Sequence, residues 1–334
     1  MKLGLLLFIG FFLAGISNAQ HLQWKEFETP VKASLRGLSP VSDLVCWASG
    51  SGGTWLRTTD GGKTWDTGVI AGLDTLDFRS IHAFDENAAV AASAGQPAVI
   101  FRTVNGGKSW EKVHEEGPDA FFDGITFLNE TSGFIIGDPV GGNWMILETL
   151  DAGKSWKAMA SLPPSETGEA AFAASASSMI ITENELIFGT GGKVSNLYLY
   201  RFESKVWKKE KTPILQGRAS QGIFALVKTE NAVLAVGGDY EKLDFREKNA
   251  FRLSNQSYQF PIKSPLGFRS GIAFFPKEKL IIAVGPSGSD LSKDDGLNWD
   301  NFSSTGYHAV RISLDQKSVW ASGSQGRIGL LIHQ

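Results

Sequence analysis

The 334-residue chain has one cysteine, five scattered histidines and no long block of charge of a single sign. A lone Cys46 excludes an intramolecular disulfide and any thiolate cluster for zinc. His21, His82, His114, His308 and His333 show neither an H-x-H nor an H-E-x-x-H spacing, so no metal is expected. Lys+Arg 32 against Asp+Glu 35 gives a net charge of -3, which argues against a nucleic-acid partner. The sequence also lacks the phosphate-loop, dinucleotide-turn and serine-hydrolase-elbow patterns, so no cofactor is expected. What the chain does have is 38 glycines, 10 tryptophans and an aromatic content of 11%. Many tight turns and large interlayer side chains favour an all-β fold.

The first residues read as an export leader. Lys2 supplies the positive charge, the run from Leu3 to Ile16 the apolar core, and Ser17-Asn18-Ala19 the small residues of a cleavage site. Residues 1–19 are therefore expected to be a signal peptide, the mature chain to start at Gln20, and the protein to be periplasmic or secreted. The apolar run falls short of the ~20 residues needed to span a bilayer, so no membrane span is expected after cleavage. No cysteine follows the run, which excludes the usual acylated lipoprotein start.

A short segment ending in tryptophan recurs. Thr58-Thr59-Asp60-Gly61-Gly62-Lys63-Thr64-Trp65, Thr103-Val104-Asn105-Gly106-Gly107-Lys108-Ser109-Trp110 and Thr149-Leu150-Asp151-Ala152-Gly153-Lys154-Ser155-Trp156 are near copies. Ser292-Lys293-Asp294-Asp295-Gly296-Leu297-Asn298-Trp299 keeps the acid, the glycine and the tryptophan. The pattern S/T-x-D/N-x-G-x-S/T-W suits a hairpin turn in which the Asp or Asn accepts backbone N–H groups and the glycine takes φ > 0. It resembles the Asp-box, or bacterial neuraminidase repeat. In families that share this repeat, the turn joins the two outer strands of a propeller blade, far from the central channel. The resemblance thus implies a structural role for Asp60, Asn105, Asp151 and Asp294 with Trp65, Trp110, Trp156 and Trp299.

Taking Trp24, Trp65, Trp110, Trp156, Trp207, Tyr258 and Trp299 as equivalent outer-strand aromatics gives separations of 41, 45, 46, 51, 51 and 41 residues. That is the period of a four-stranded blade. The remaining interval, measured across the chain ends, is of the same size, so the count closes at seven. Residues 20–334 are expected to form a single seven-bladed β-propeller. The strand around Trp24 would complete the C-terminal blade and remove an exposed sheet edge.

Each repeat carries a glycine-rich loop between its second and third strands, on the face opposite the Asp-box turns. Aligning the starts of the innermost strands gathers two arcs on that loop face. Arg269, His308, Arg36 and Arg79 come from blades six, seven, one and two, with Arg218 before blade five. Asp123, Asp138, Glu169 and Asp239 come from blades three to five. A channel mouth basic on one side and acidic on the other would orient a protein partner or a small polar, bipolar ligand. Alternatively, the charges pair across the channel and hold the ring together. The charged segment Glu241-Lys242-Leu243-Asp244-Phe245-Arg246-Glu247-Lys248 reads as an insertion in the upper loop of blade five, either a solvated excursion or a lid.

An exported seven-bladed ring with such turns resembles the propellers related to the photosystem II stability and assembly factor. That resemblance spans nearly the whole mature chain and implies a non-catalytic scaffold that binds other proteins, with Arg36, Arg79 and Arg269 echoing a basic patch. The acidic arc departs from a purely basic one. The rival reading is a glycoside hydrolase with a carbohydrate substrate at the same mouth. Sialidases share the Asp-box, but they use six blades, an early Arg-Ile-Pro segment and a Tyr/Glu nucleophile pair; this chain has seven intervals and no such segment. A two-carboxylate glycosidase would draw on Asp123, Asp138, Glu169 and Asp239, with ~6.5–9.5 Å between the pair if inverting. Quinone-dependent propeller dehydrogenases bring eight blades and a different tryptophan repeat.

Mass spectrometry of the protein from its host should find a chain starting at Gln20, with Cys46 as an unbridged thiol. A full-length product retaining residues 1–19 would refute the leader.

Overall fold

The computed structural model describes residues 22–333; the expected leader, residues 1–19, the expected start at Gln20, and Gln334 lie outside the described residues. Seven sheets stand in a ring, each consisting of or containing a four-stranded antiparallel meander. Blade one is built from Leu35–Pro40, Cys46–Gly50, Thr54–Thr58 and Asp66–Val69, running outward from the axis. The other blades repeat this order. In blade five two extra short strands, Glu169–Ala170 and Gly191–Gly192, extend the sheet inward.

Ring closure follows the sequence-based expectation. Leu22–Phe27 pairs with Ile328–His333 in antiparallel register, Leu22 opposite His333 and Phe27 opposite Ile328. The chain's first described strand is therefore the outer strand of the blade formed by its last three. Trp24 is buried against Phe302 and Tyr307, and its Nε1 donates to Ser289 Oγ at 3.0 Å, tying the clasp to blade six.

Alternation along each strand gives a blade two apolar faces, and each face packs against a neighbouring blade. The core consequently falls into interblade clusters. Trp47, Phe78 and Phe101 fill the space between blades one and two; Phe122, Ile135 and Trp156 lie between two and three; Leu35, Trp320 and Ile328 join blade seven to blade one. The repeated tryptophans stand at the heads of the outer strands, as their spacing implied: Trp299 immediately precedes Asp300–Ser303 and is 2% exposed.

The repeated turns are built as their residues suggest. Asp60 Oδ1 accepts the N–H groups of Lys63 and Thr64 at 3.0 and 2.9 Å and the Thr58 hydroxyl at 2.9 Å, while Oδ2 accepts the Thr64 hydroxyl at 2.6 Å. Those hydrogen bonds, led by the Thr64 hydroxyl, hold the Asp60 carboxyl down to about 2. In the divergent copy, Asn298 substitutes for Ser or Thr by donating its Nδ2 to Asp294 Oδ2 at 2.7 Å. Gly107 shows why the motif needs glycine: φ is +84°, and a Cβ would lie 2.4 Å from the Trp55 ring of the preceding blade. These turns sit at the bottom face, away from the loop-face mouth.

The segment Glu169-Ala170-Ala171-Phe172 departs from the alignment. It was expected to start the innermost strand of blade four, but that strand is Met179–Ile181. Residues 171–178 instead cross the channel and plug it. The Leu226 N–H donates to Ser177 O at 2.7 Å and Ser175 Oγ to Ser270 O at 2.6 Å, linking the plug to blades five and six. Alanine and serine dominate this stretch because a channel ringed by seven inner strands admits little more than a backbone.

Trp299→Ala should cost ~3–5 kcal/mol, and deletion of residues 20–28 should lower stability more severely, by exposing the edge of Ile328–His333. Urea unfolding checks both; a truncated protein as stable as the intact one would refute the clasp.

Candidate functional site

The loop-face mouth of the channel holds a cavity of about 560 Å³ above the plug. Three of its walls owe their side chains to irregularities in the innermost strands. The pairing register skips Arg36 between Leu35 and Gly37, Asp123 between Phe122 and Gly124, and Phe224 between Ile223 and Ala225. A bulge leaves one residue out of the ladder and re-aims its side chain, and all three of these residues line the cavity. Arg79 and His308 reach it from positions just before the innermost strands of blades two and seven.

The two arcs expected from sequence meet here in part. Arg36, Arg79 and His308 face Asp123 and Asp138 across one cavity. The side chain of Arg79 is 35% exposed, and its Nε donates to Asp77 at 2.7 Å, so it remains accessible to a ligand. Arg36 Nη1 donates to Ala174 O of the plug at 3.1 Å. Burial pulls the Arg36 guanidinium below its ordinary value, with repulsion from Arg79 adding to the shift. His308 falls to about 3, through burial and then the positive charges of Arg36 and Arg79, so it stands neutral at ordinary pH.

The acidic side is unusual. Asp123 is 1% exposed, and neither of its oxygens has a hydrogen-bond partner of good geometry. Burial pushes its carboxyl well up, and the neighbouring Asp138 pushes it further, against the pull of Arg79 and the Ala173 N–H. Asp138 is also raised by burial, although its Oδ1 accepts the Ala171 N–H at 3.0 Å. The mouth thus offers two carboxyl groups biased toward holding protons beside two guanidinium groups that cannot lose theirs.

The other residues assigned to the arcs lie elsewhere. Glu169 is buried and accepts from Thr190, Asn196 and Tyr198, whose hydroxyl and amide groups are 2.5, 2.9 and 2.8 Å away. Asp239 is fully buried and is held by Gln221 Nε2 at 2.9 Å and the Glu241 N–H at 3.0 Å. Arg269 is fully buried in an ion pair with Asp290 at 2.6 Å, with Ser287 Oγ at 3.1 Å. These three are held within or beside their own blades, Glu169 and Asp239 by neutral donors and Arg269 by Asp290, and none pairs with an opposite charge across the channel. Arg218 is exposed at the start of its strand and stays outside the cavity.

Sequence reasoning missed the apolar half of the cavity. Phe172 from the plug stacks on Phe224, with ring centroids 3.8 Å apart, and Phe268 meets Phe224 edge-on at 4.7 Å. Tyr240, just before the charged insertion, and Leu243 within it, 47% and 37% exposed, overhang them. The insertion therefore borders the mouth, as a lid would. The one available signal was spacing: the two 51-residue intervals contain the plug and this insertion.

The sequence profile of the photosynthesis system II assembly factor YCF48 family matches residues 16–118, under half of the chain. Comparison with curated protein sequences finds no match. Among solved structures, YCF48 bound to a D1 peptide superposes with a TM-score of 0.65 at 15% identity, covering 93% of this chain and 95% of that one. YCF48 from Cyanidioschyzon merolae gives 0.63 at 17% identity, covering 93% and 98%. The WD40 propeller domain of Doa1 gives 0.64 at 11% identity, covering 94% and 98%. Likeness at these identities shows the propeller fold, and the profile match shows a resemblance to the assembly-factor family over the first two blades.

The Asp123 carboxyl has a clear pH signature. Its value is raised on folding, so the folded state holds a proton that the unfolded chain releases from about 3.8 upward, and stability falls as pH rises through the folded value. Asp123→Asn should therefore be more stable than wild type at about pH 7, with the difference shrinking toward about pH 4. Urea midpoints across that range check this; a pH-independent difference would refute the raised value.

Proposed function

We propose that this propeller is an exported, non-catalytic protein-binding factor that engages an exposed peptide segment of its partner at the loop-face mouth. One observation carries the reading: aromatic and ionisable side chains converge on a single cavity at the mouth. Phe172, Phe224 and Phe268 offer an apolar seat, Tyr240 and Leu243 an overhanging rim, and Arg36 and Arg79 a cationic edge. Aromatic anchors in a pocket with charged groups at its margin are what a peptide side chain and its flanking polar backbone require. Asp138, half-buried at the mouth and with a raised value, is placed to donate a hydrogen bond to a peptide carbonyl when protonated.

The comparisons support this reading without extending to the partner's identity. A structural neighbour bound to a D1 peptide shows that a similar ring accepts a peptide. Nothing in the reading requires photosynthesis. Export rests on the leader expected over residues 1–19, and with it the partner would lie in the periplasm or outside the cell.

A glycosidase reading draws on one observation, the two raised carboxyl groups facing one cavity. Unlike the pairs that split acid and base roles, both are shifted in the same direction, which leaves no ready base or nucleophile.

The test pairs capture with turnover. The wild-type protein should retain a partner from the cell envelope, and Arg79→Ala/Tyr240→Ala, altered at two exposed positions, should lower its affinity by roughly tenfold or more. Capture unaffected by the double variant would move the binding surface off the mouth. Hydrolysis of chromogenic glycosides that disappears in Asp123→Asn would replace this reading with the glycosidase one.

A further inference from the structure

The channel has a second mouth, on the face of the repeated turns. There a cavity of about 570 Å³ opens below the plug, between the far ends of the innermost strands of blades three to seven. Phe127, Ile180, Leu226, Ile272, Phe274 and Ile312 form an apolar stretch of its wall, beside the neutral polar Thr126, Thr182, Thr229 and Gln316. Arg311 stands in it, on the innermost strand Ala309–Ile312 of blade seven.

Arg311 has no carboxylate within ion-pair reach among the described residues, in contrast to Arg57, Arg79, Arg252, Arg269 and Arg327. Its Nη2 donates to the carbonyls of Ser175 and Ala176 in the plug. Nε and Nη1 find no partner among the described residues, and neither is sealed from the cavity as the orphaned buried Nε atoms of Arg57 and Arg252 are. Beside it His82 stacks on Phe127 with centroids 4.3 Å apart, and burial, then the Arg311 charge, lowers it to about 3, so it adds no charge at ordinary pH. Burial likewise pulls the Arg311 guanidinium to about 10, which leaves it charged. Lys228, the other cation on the wall, is paired with Glu185 at 2.7 Å. No Asp or Glu lines this cavity among the described residues.

A guanidinium that keeps its charge in a carboxylate-free hollow beside an apolar wall, with two directed N–H groups unmet, is complementary to one chemical class. We infer that this second cavity is a binding site for a small amphiphilic monocarboxylate, with the carboxylate on Arg311 Nε and Nη1 and the apolar body against Ile180, Ile272 and Phe274. The fork of N–H donors matches the two oxygens of a carboxylate. The cavity falls within the range that encloses a small molecule. This site is separated by the plug from the peptide-binding mouth and stands independently of it.

Isothermal titration with decanoate, below its micellar concentration, tests the assignment, with decanol as the neutral isostere. Wild type should take up one decanoate per chain and bind decanol at least about tenfold more weakly, because a charge-assisted contact is lost. Ile180→Glu, which sets a negative charge on the apolar wall without touching the plug's hydrogen bonds, should lower decanoate affinity by at least about tenfold. Phe274→Glu serves the same purpose on blade six, should the first variant fail to give a wild-type thermal melt. Absence of decanoate binding, equal affinity for decanol, or unchanged binding in the folded Glu variant would each overturn the inference.

Discussion

No blade of this ring can bury its own two faces. Each apolar face finds a partner only on the next blade, and the seventh finds its second partner only on the first, so the contact of Leu35, Trp320 and Ile328 is as necessary as any within a sheet. The turns follow from this requirement. The glycines at Gly62 and Gly107 let a bottom hairpin lie flat against Phe27 and Trp55 of the blade before it, and the tryptophans after the turns fill the same seams. The Asp60 or Asn105 side chain in the turn fixes the hairpin that makes this approach possible.

Seven blades leave an axis that their own side chains do not fill. The plug of residues 171–178 occupies it and brings into the interior backbone carbonyls that must be satisfied. Arg36 meets one from above and Arg311 two from below, so the two arginines mark the two sides of the barrier. Because the plug is narrow, each face of the ring retains its own cavity. The upper one mixes opposite charges with aromatics, whereas the lower one has an apolar wall and a cation without a counterion.

Periodicity made the architecture readable: tryptophan spacing and turn signals report directly on blades, and the clasp follows from arithmetic at the chain ends. The mouth was less readable. Arg36 and Asp123 could be placed because each lies at the start of an innermost strand, and there a bulge turns each side chain to the mouth. Arg269 two residues before an innermost strand, Asp239 at the end of a second strand and Glu169 ahead of the plug turn away toward Asp290, Gln221 and Tyr198, partners that pattern alone does not reveal. Arg311 escaped notice because it lies two residues past the strand start that was aligned, and the plug because a run of alanine and serine carries no period. Excess length in one repeat was its only trace.

The clasp also constrains the order in which the molecule can be made. Thr29 Oγ1 donates to Gly326 O across 297 residues of chain, and Trp24 to Ser289 across 265. Synthesis proceeds from the N-terminus, so Leu22–Phe27 emerges first and waits, unpaired, for the last strand to appear. Contacts this distant in sequence are slow to form, and an idle strand is a template for pairing with other chains. Its exposed Lys25 and Glu26 place charge on that waiting edge, a protection against association during the interval before the ring can shut.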